Sequence, residues 1–249
     1  MQESLKAVID GKHEVHNVDC VKFLREAFEQ GKRWRMIFAD PPDNIQLGYD
    51  HYKDKLSDEE YQTSMLKWLE SAINACDHLW LSFNSRHTAM VGYLLHSNRT
   101  RVTVRHCVQT FTFGNHQRKH LTNNHRPLWL ITKIGEEAVN EVLVPSWRLQ
   151  NGDKRAKPGG KMVGDVFDFP RVPGNSRQRR KWHPTQLHED LVERCVKLST
   201  REGDQVLDMF GGTGTTLRVC RRLNRPCTHL EISEDYCNKL IEEQTLEHD

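Results

Sequence analysis

Apolar runs of strand length alternate with helix-patterned segments at both ends of this 249-residue chain, and that alternation restricts its fold more than any other feature. Residues 35–39, RMIFA, are an apolar run that stops at Asp40-Pro41-Pro42. A residue before proline is pushed out of the helical region, so a buried strand ends here in a stiff turn. Ser57, with Glu60 three residues on, is a capping box, and Tyr61, Met65, Trp68, Leu69, Ala72, Ile73 and Cys76 follow at helical spacing. Further strands are predicted over 78–83, 102–113, 127–132, 205–209 and 227–231, and helices over 86–96, 187–198, 214–223 and 234–244. Strands alternating with helices predict an α/β fold, a mostly parallel sheet with helices on both faces.

Residues 135–182 break the pattern. Turn signals at Asn151-Gly152, Lys157-Pro158-Gly159-Gly160 and Val172-Pro173-Gly174-Asn175 replace periodicity there. This marks a long functional insertion rather than a second core.

Composition excludes several classes. With 37% hydrophobic and 28% charged residues the chain is neither disordered nor collagen-like. No run approaches the roughly 18 apolar residues of a membrane helix, and the first residues lack an apolar signal core, so no membrane association and no secretion by a cleaved signal are expected. The formal net charge is only +2, but residues 148–182 hold ten Lys or Arg against three Asp. Such a segment fits one face that touches a polyanion, or a solvated loop. Seven cysteines, with no CxxC and no Cys/His cluster at zinc spacing, predict reduced thiols in an intracellular protein and no metal site.

Two turns carry the chemistry. The strand ending at Asp208 runs into Phe210-Gly211-Gly212-Thr213-Gly214 and then a helix, whose free N–H groups and positive dipole end suit an anionic group. The P-loop lysine is missing, and Leu217 stands where a dinucleotide motif wants its third glycine. A dinucleotide and S-adenosylmethionine both remain open, and Glu231 at the end of the next strand suits the ribose hydroxyls of either. In the other turn, Pro41 and Pro42 have no N–H, so its carbonyls are free to accept. An amine could donate one hydrogen to Asp40 and one to the Pro41 carbonyl. Two fixed acceptors pull a base amine toward tetrahedral geometry and return its delocalised lone pair for attack on a methyl group.

Together the two motifs resemble the amino-methyltransferases of DNA, which modify adenine N6 or cytosine N4. Asp-Pro-Pro comes first and Phe-x-Gly-x-Gly near the C-terminus, which is similar to the permuted beta class. His16-Asn17-Val18-Asp19-Cys20, His125-Arg126-Pro127 before Leu128-Trp129-Leu130-Ile131, and His183-Pro184-Thr185-Gln186 resemble further segments of that class in the same order. The resemblance implies a Rossmann-like methyltransferase sheet, split into a first half (1–134), a target-recognition insertion (135–182) and a second half with the cofactor loop (183–249). It implies S-adenosyl-L-methionine as cofactor, with Asp19, Cys20, Asp208, Phe210, Gly212 and Gly214 around it. Thr215, Thr216 and Glu231 complete that pocket, and His183, Thr185 and Gln186 close it. Asp40, Pro41, Pro42 and Asp43 form the catalytic motif, and Arg177, Arg179, Arg180 and Lys181 are expected on DNA phosphates.

Adenine N6 is the expected acceptor, because Asp rather than Ser opens the motif. Cytosine N4, an RNA amine and a catalytically lapsed DNA-binding homologue are the alternatives. The implied setting is the cytoplasm of a bacterium or phage-infected cell, with a homodimer and a cognate restriction endonuclease open as partners. One position departs from the family: the motif ordinarily ends in an aromatic residue that stacks on the flipped base, and this chain has Asp43. Tyr49, Tyr52, Trp80 and Phe83 are the candidate substitutes. Asp43 itself is expected to accept a hydrogen bond from a base edge.

Overall fold

The computed structural model describes residues 4–97, 102–111, 119 and 121–246. It opens with a hairpin. β1 (Leu5–Ile9) and β2 (His13–Asn17) pair antiparallel across Asp10 and Gly11, both at positive φ (52° and 64°). Asp19 then caps α1 (Cys20–Glu29), its carboxylate accepting from the Lys22 N–H. β3 (Trp34–Ala39) leads into the Asp-Pro-Pro turn. The Ser57–Glu60 capping box starts α2 (Asp58–Ala75), and β4 (Cys76–Ser82) follows without a loop. A 3-10 turn, Ser85–His87, precedes α3 (Thr88–Ser97). Two long strands, β5 (Val102–Thr110) and β6 (His125–Lys133), come next. The predicted strand end at residues 112–113 lies outside the described residues.

The insertion carries β7 (Leu143–Val144), α4 (Trp147–Gln150), β8 (Lys161–Met162) and β9 (Val166–Asp168). The second half holds α5 (Glu189–Ser199), β10 (Val206–Asp208), α6 (Thr215–Arg222), β11 (Cys227–Glu231) and α7 (Glu234–Leu246). Nine strands form one sheet in the order β1-β2-β11-β10-β3-β4-β6-β5-β9. The five strands from β2 to β4 run parallel, whereas β1 and β6 are antiparallel to their neighbours.

Alternate residues of β3 serve the two faces. Ile37 packs with Phe23 of α1 and Met65 of α2, while Met36 and Phe38 pack with Val192 of α5 and Leu217 of α6. A strand buried on both faces is apolar throughout, which is why RMIFA reads as a continuous run. The insertion is sewn to this core. β9 adds to the sheet beside β5, and Phe167 is buried against Trp80 at 5.7 Å. Three residues are too short to show a period, so β9 left no signal in the sequence.

The site follows from the strand order. β10 crosses through α6 to β11 on one side, and β3 crosses through α2 to β4 on the other. The adjacent ends of β10 and β3 are therefore a topological switch point, where open parallel sheets bind ligands. Asp208 stands opposite Phe38 in register, and the Met209 N–H donates to the Phe38 carbonyl at 2.9 Å. Asp208 and Asp40 thus emerge side by side at the same edge.

Candidate active site

A pocket opens at this edge. Its wall includes Asp40 and Pro42 from one turn, Asp208 to Thr213 from the other, and Asp19, Cys20, Thr215, Thr216 and Glu231 beside them. His183, Thr185 and Gln186 also line it, as do Tyr49, Tyr52 and Trp68. Three expected members, Gly214, Pro41 and Asp43, stand back from the wall. Gly214 shapes the turn instead: its φ is +75°, and a Cβ there would come within 2.4 Å of Leu240. Pro41 is buried behind the turn. The Tyr61 hydroxyl donates to the Pro42 carbonyl at 2.8 Å, which leaves the Pro41 carbonyl as the open acceptor among the described residues.

The glycine turn is held from below by Glu231. Its carboxylate accepts from the Gly212 N–H (2.9 Å) and the Ser233 N–H (2.8 Å), so both oxygens brace backbone and retain only their second lone pairs for a ligand. His183 packs over Gly212 and approaches the Thr185 carbonyl at 2.6 Å through Nδ1. The Thr185 N–H lies 3.3 Å from the same nitrogen. Burial lowers the His183 pKa to about 4, so the ring is neutral at pH 7.

Residues 44–57 form a strap beside the pocket. The Asp54 carboxylate ties it by accepting from the N–H groups of Asn44, Ile45 and Leu47 at 2.7–3.1 Å. The Ser233 hydroxyl donates to Asp50 at 2.7 Å and anchors the strap to the start of α7. The strap brings Tyr49 and Tyr52 to the wall. Trp80 and Phe83 are core residues, 1% and 0% exposed, and drop out as stand-ins for the missing aromatic.

The wall is acidic, and this separates the ligands that the glycine turn left open. Burial pushes the Asp208 pKa up to about 7; repulsion from Asp40 and Glu231 adds to this, and hydrogen bonds from the Thr216 hydroxyl and the Phe210 N–H oppose it. Burial also raises Asp40 and Glu231. Such a wall repels a pyrophosphate and suits a cofactor with net positive charge. The Tyr52 hydroxyl, buried with no partner among the described residues, offers a hydrogen bond to a polar ligand. These residues fit S-adenosylmethionine, whose sulfonium and ammonium outweigh its carboxylate.

A pH dependence follows. A cation beside Asp208 favours its ionised form, so binding releases a proton and affinity rises as pH rises through about 7. Calorimetry in buffers of different ionisation enthalpy should show this release for S-adenosylmethionine and less for S-adenosylhomocysteine, which lacks the sulfonium charge. Equal proton release by both would contradict it.

The catalytic motif holds a correction. Asp43 does not line the pocket. Arg126 donates to both Asp43 oxygens, from Nη1 at 2.7 Å and Nη2 at 3.0 Å, and the Asn84 N–H donates to one of them at 3.0 Å. The Asp43 carboxylate is therefore spent on the protein and does not serve as the base-edge acceptor. Arg126 also reaches Asp40 through Nη2 at 2.7 Å and Ser82 Oγ through Nε at 2.7 Å. Its position in the His125-Arg126-Pro127 segment did not signal this role.

The basic run divides as well. The Arg179 guanidinium donates to the carbonyls of His183 and Pro184 at 2.7 and 2.9 Å, and Arg180 pairs with Glu243. Arg179 thereby holds the His-Pro-Thr-Gln segment, and the Arg180 backbone N–H donates to Gln186 Oε1 at 2.8 Å. Arg177 and Lys181 are exposed.

A family model described as DNA methylase, N6_N4_Mtase, matches residues 34–243. The chain belongs to this family, the S-adenosylmethionine-dependent DNA methyltransferases that act on exocyclic base amines. It is similar to the type II methyltransferase M.HpaI of Haemophilus parainfluenzae, 26% identical over 209 residues, which cover 81% of this chain and 65% of that protein. The chain thus spans just under two thirds of the length of that relative. The DNA adenine methyltransferase YhdJ of Escherichia coli (strain K12) is 26% identical over 224 residues, 81% of this chain and 72% of its own. The crystal structure of an M1.HpyAVI–SAM complex shares the fold, with a TM-score of 0.61 at 16% identity over 92% of this chain and 97% of that one. Among the described residues no helix is long and apolar enough to cross a membrane, and no group of His, Cys, Asp and Glu could hold a metal ion.

Proposed function

We propose that this chain transfers the methyl group of S-adenosylmethionine to the N6 amine of an adenine in DNA. The observation that carries the reading is the meeting, in one pocket, of a fixed carboxylate and the glycine turn, beside a proline turn whose Pro41 carbonyl has no partner among the described residues. The amine is out of reach inside a base stack, so the base is flipped into the pocket. Asp40 accepts one amine hydrogen and the Pro41 carbonyl the other. This localises the nitrogen lone pair for attack on the methyl carbon that S-adenosylmethionine would supply; the C–S bond breaks to leave a neutral thioether, S-adenosylhomocysteine, and the methylated amine gives up one proton through Asp40. Glu231, Asp19 and Thr215 border the nucleoside side of the pocket, and His183 covers Gly212.

Adenine is favoured over cytosine by the Asp that opens the motif and by the similarity to an enzyme named for adenine. The type II relative supports work beside a cognate restriction endonuclease in a bacterial or phage-infected cytoplasm, and a homodimer belongs to the same proposal. Incubation with tritiated S-adenosylmethionine and DNA, RNA or protein tests the substrate class. Label is expected in DNA; label in protein or RNA alone would overturn the reading.

DNA contact by the insertion is proposed for the exposed cations of the run. Exchanging Arg177 and Lys181 for glutamine should flatten the salt dependence of DNA binding by about 0.9 log unit per lost phosphate contact. Arg180→Gln should instead lower stability, because it strips Glu243 of its nearer partner and leaves it Arg218 at 3.6 Å. An unchanged salt slope in the double variant would return this segment to a solvated loop.

A further inference from the structure

Behind Asp40 in the pocket wall lies a charge arrangement that the methyl-transfer reading does not by itself require. Asp40 and Asp43, three residues apart, both face the guanidinium of Arg126, which arrives from β6. Four of the five guanidinium N–H groups are used. Nη1 and Nη2 fork onto the two oxygens of Asp43, Nη2 also reaches Asp40 Oδ1, and Nε donates to Ser82 Oγ. The Ser82 hydroxyl in turn donates to Asp40. The side chains of Asp40, Asp43 and Arg126 are only 23%, 13% and 19% exposed, so an unpaired charge here would be strongly unfavourable.

We propose that Asp43 is a positioning residue: it locks the guanidinium plane of Arg126, and Arg126 with Ser82 then fixes the Asp40 carboxylate for the target amine. This rests on the reading that Asp40 holds that amine. A single hydrogen bond from Arg126 would let Asp40 rotate. The bidentate fork onto Asp43 orients the arginine, since a planar guanidinium held at two points has one remaining direction for Nη2. One Asp40 oxygen is thereby tied, and the other is left to accept. The departure at position 43 and the arginine at position 126 are thus two halves of one device. An aromatic residue at 43 could not neutralise Arg126, so the pair replaces the stacking residue as a unit.

The test uses the full chain with Asp43→Asn, Arg126→Gln, the double variant, Asp43→Glu and Asp43→Tyr, read as kcat on one duplex, cofactor affinity and Tm. Asp43→Asn and Arg126→Gln should each lower kcat by roughly 10²-fold, the loss that a misplacement of about 1 Å produces. Cofactor affinity should be unchanged. The double variant should be no slower than Arg126→Gln alone, because the two residues act in series. Asp43→Glu keeps the charge and should recover part of the loss at near wild-type Tm, which separates positioning from folding. Asp43→Tyr should not recover it. Losses that multiply in the double variant, or a kcat above wild type in Asp43→Tyr, would overturn the proposal. Absence of base methylation by the wild-type chain would instead sink the functional reading; methylation with Asp43→Asn at full rate would sink only this inference.

Discussion

Replacing Asp40 by alanine is expected to lower kcat for methyl transfer on the order of 10³-fold, as loss of a preorganised polar contact to a reacting group does. Cofactor affinity should stay within a few-fold of wild type. Asp40 stands at the pocket edge beside the Asp-Pro-Pro turn, whereas the contacts of the glycine turn run through Glu231 and the N–H groups of Gly212 and Ser233. Arg126 keeps Asp43 as a partner in the variant, so the fold should survive. The signature is thus a collapse in kcat without a matching change in binding. Wild-type turnover in Asp40→Ala would remove the carboxylate from the mechanism.

Gly211→Ala should be the most damaging small change in the cofactor loop. A Cβ at this position would lie 2.0 Å from the His229 ring, which is wholly buried at the centre of β11. The ring cannot swing aside, so the loop must rise, breaking the hydrogen bond from the Gly211 N–H to the Leu230 carbonyl at 2.8 Å. Overpacking of this kind costs about 2 kcal/mol or more, which is roughly 4–8 °C in Tm at this chain length. Cofactor binding should weaken at least tenfold, about 1.4 kcal/mol, because the displaced loop is the floor of the pocket. Gly174→Ala is the control: nothing lies within 4 Å of a Cβ there and its φ is not positive. Calorimetry and thermal melts check both. A Gly211→Ala variant as stable and as tight-binding as the control would show that the contact with His229 does not support the loop.

Much of this architecture was legible because it is encoded locally. A capping box, a strand that stops at two prolines and a glycine turn before a helix are each written in adjacent residues. The strands at 206–208 and 227–231 fell within a residue or two of where their apolar runs placed them. The opening hairpin is equally local: Asp10-Gly11 between two strand-like runs is a strong turn signal. The role of Asp43 was of a different kind. Its partner lies 83 residues away on β6, and only the packing of β6 against β4 brings Arg126 to it. Read alone, an acid in place of an aromatic suggested a contact with the base. Arg179 and Arg180 misled for a related reason. A basic run looks like a phosphate-binding surface until Glu243, from the far end of the chain, is seen to neutralise one member and backbone carbonyls to occupy another.

The central claim is that an exocyclic amine, held by Asp40 and the Pro41 carbonyl, takes the methyl group. Mass spectrometry of nucleosides from a duplex treated with the wild-type chain and S-adenosylmethionine tests it most directly. N6-methyladenine is the predicted product. C5-methylcytosine would contradict the account. Carbon methylation of that kind needs a thiolate nucleophile, and all seven cysteines here are buried.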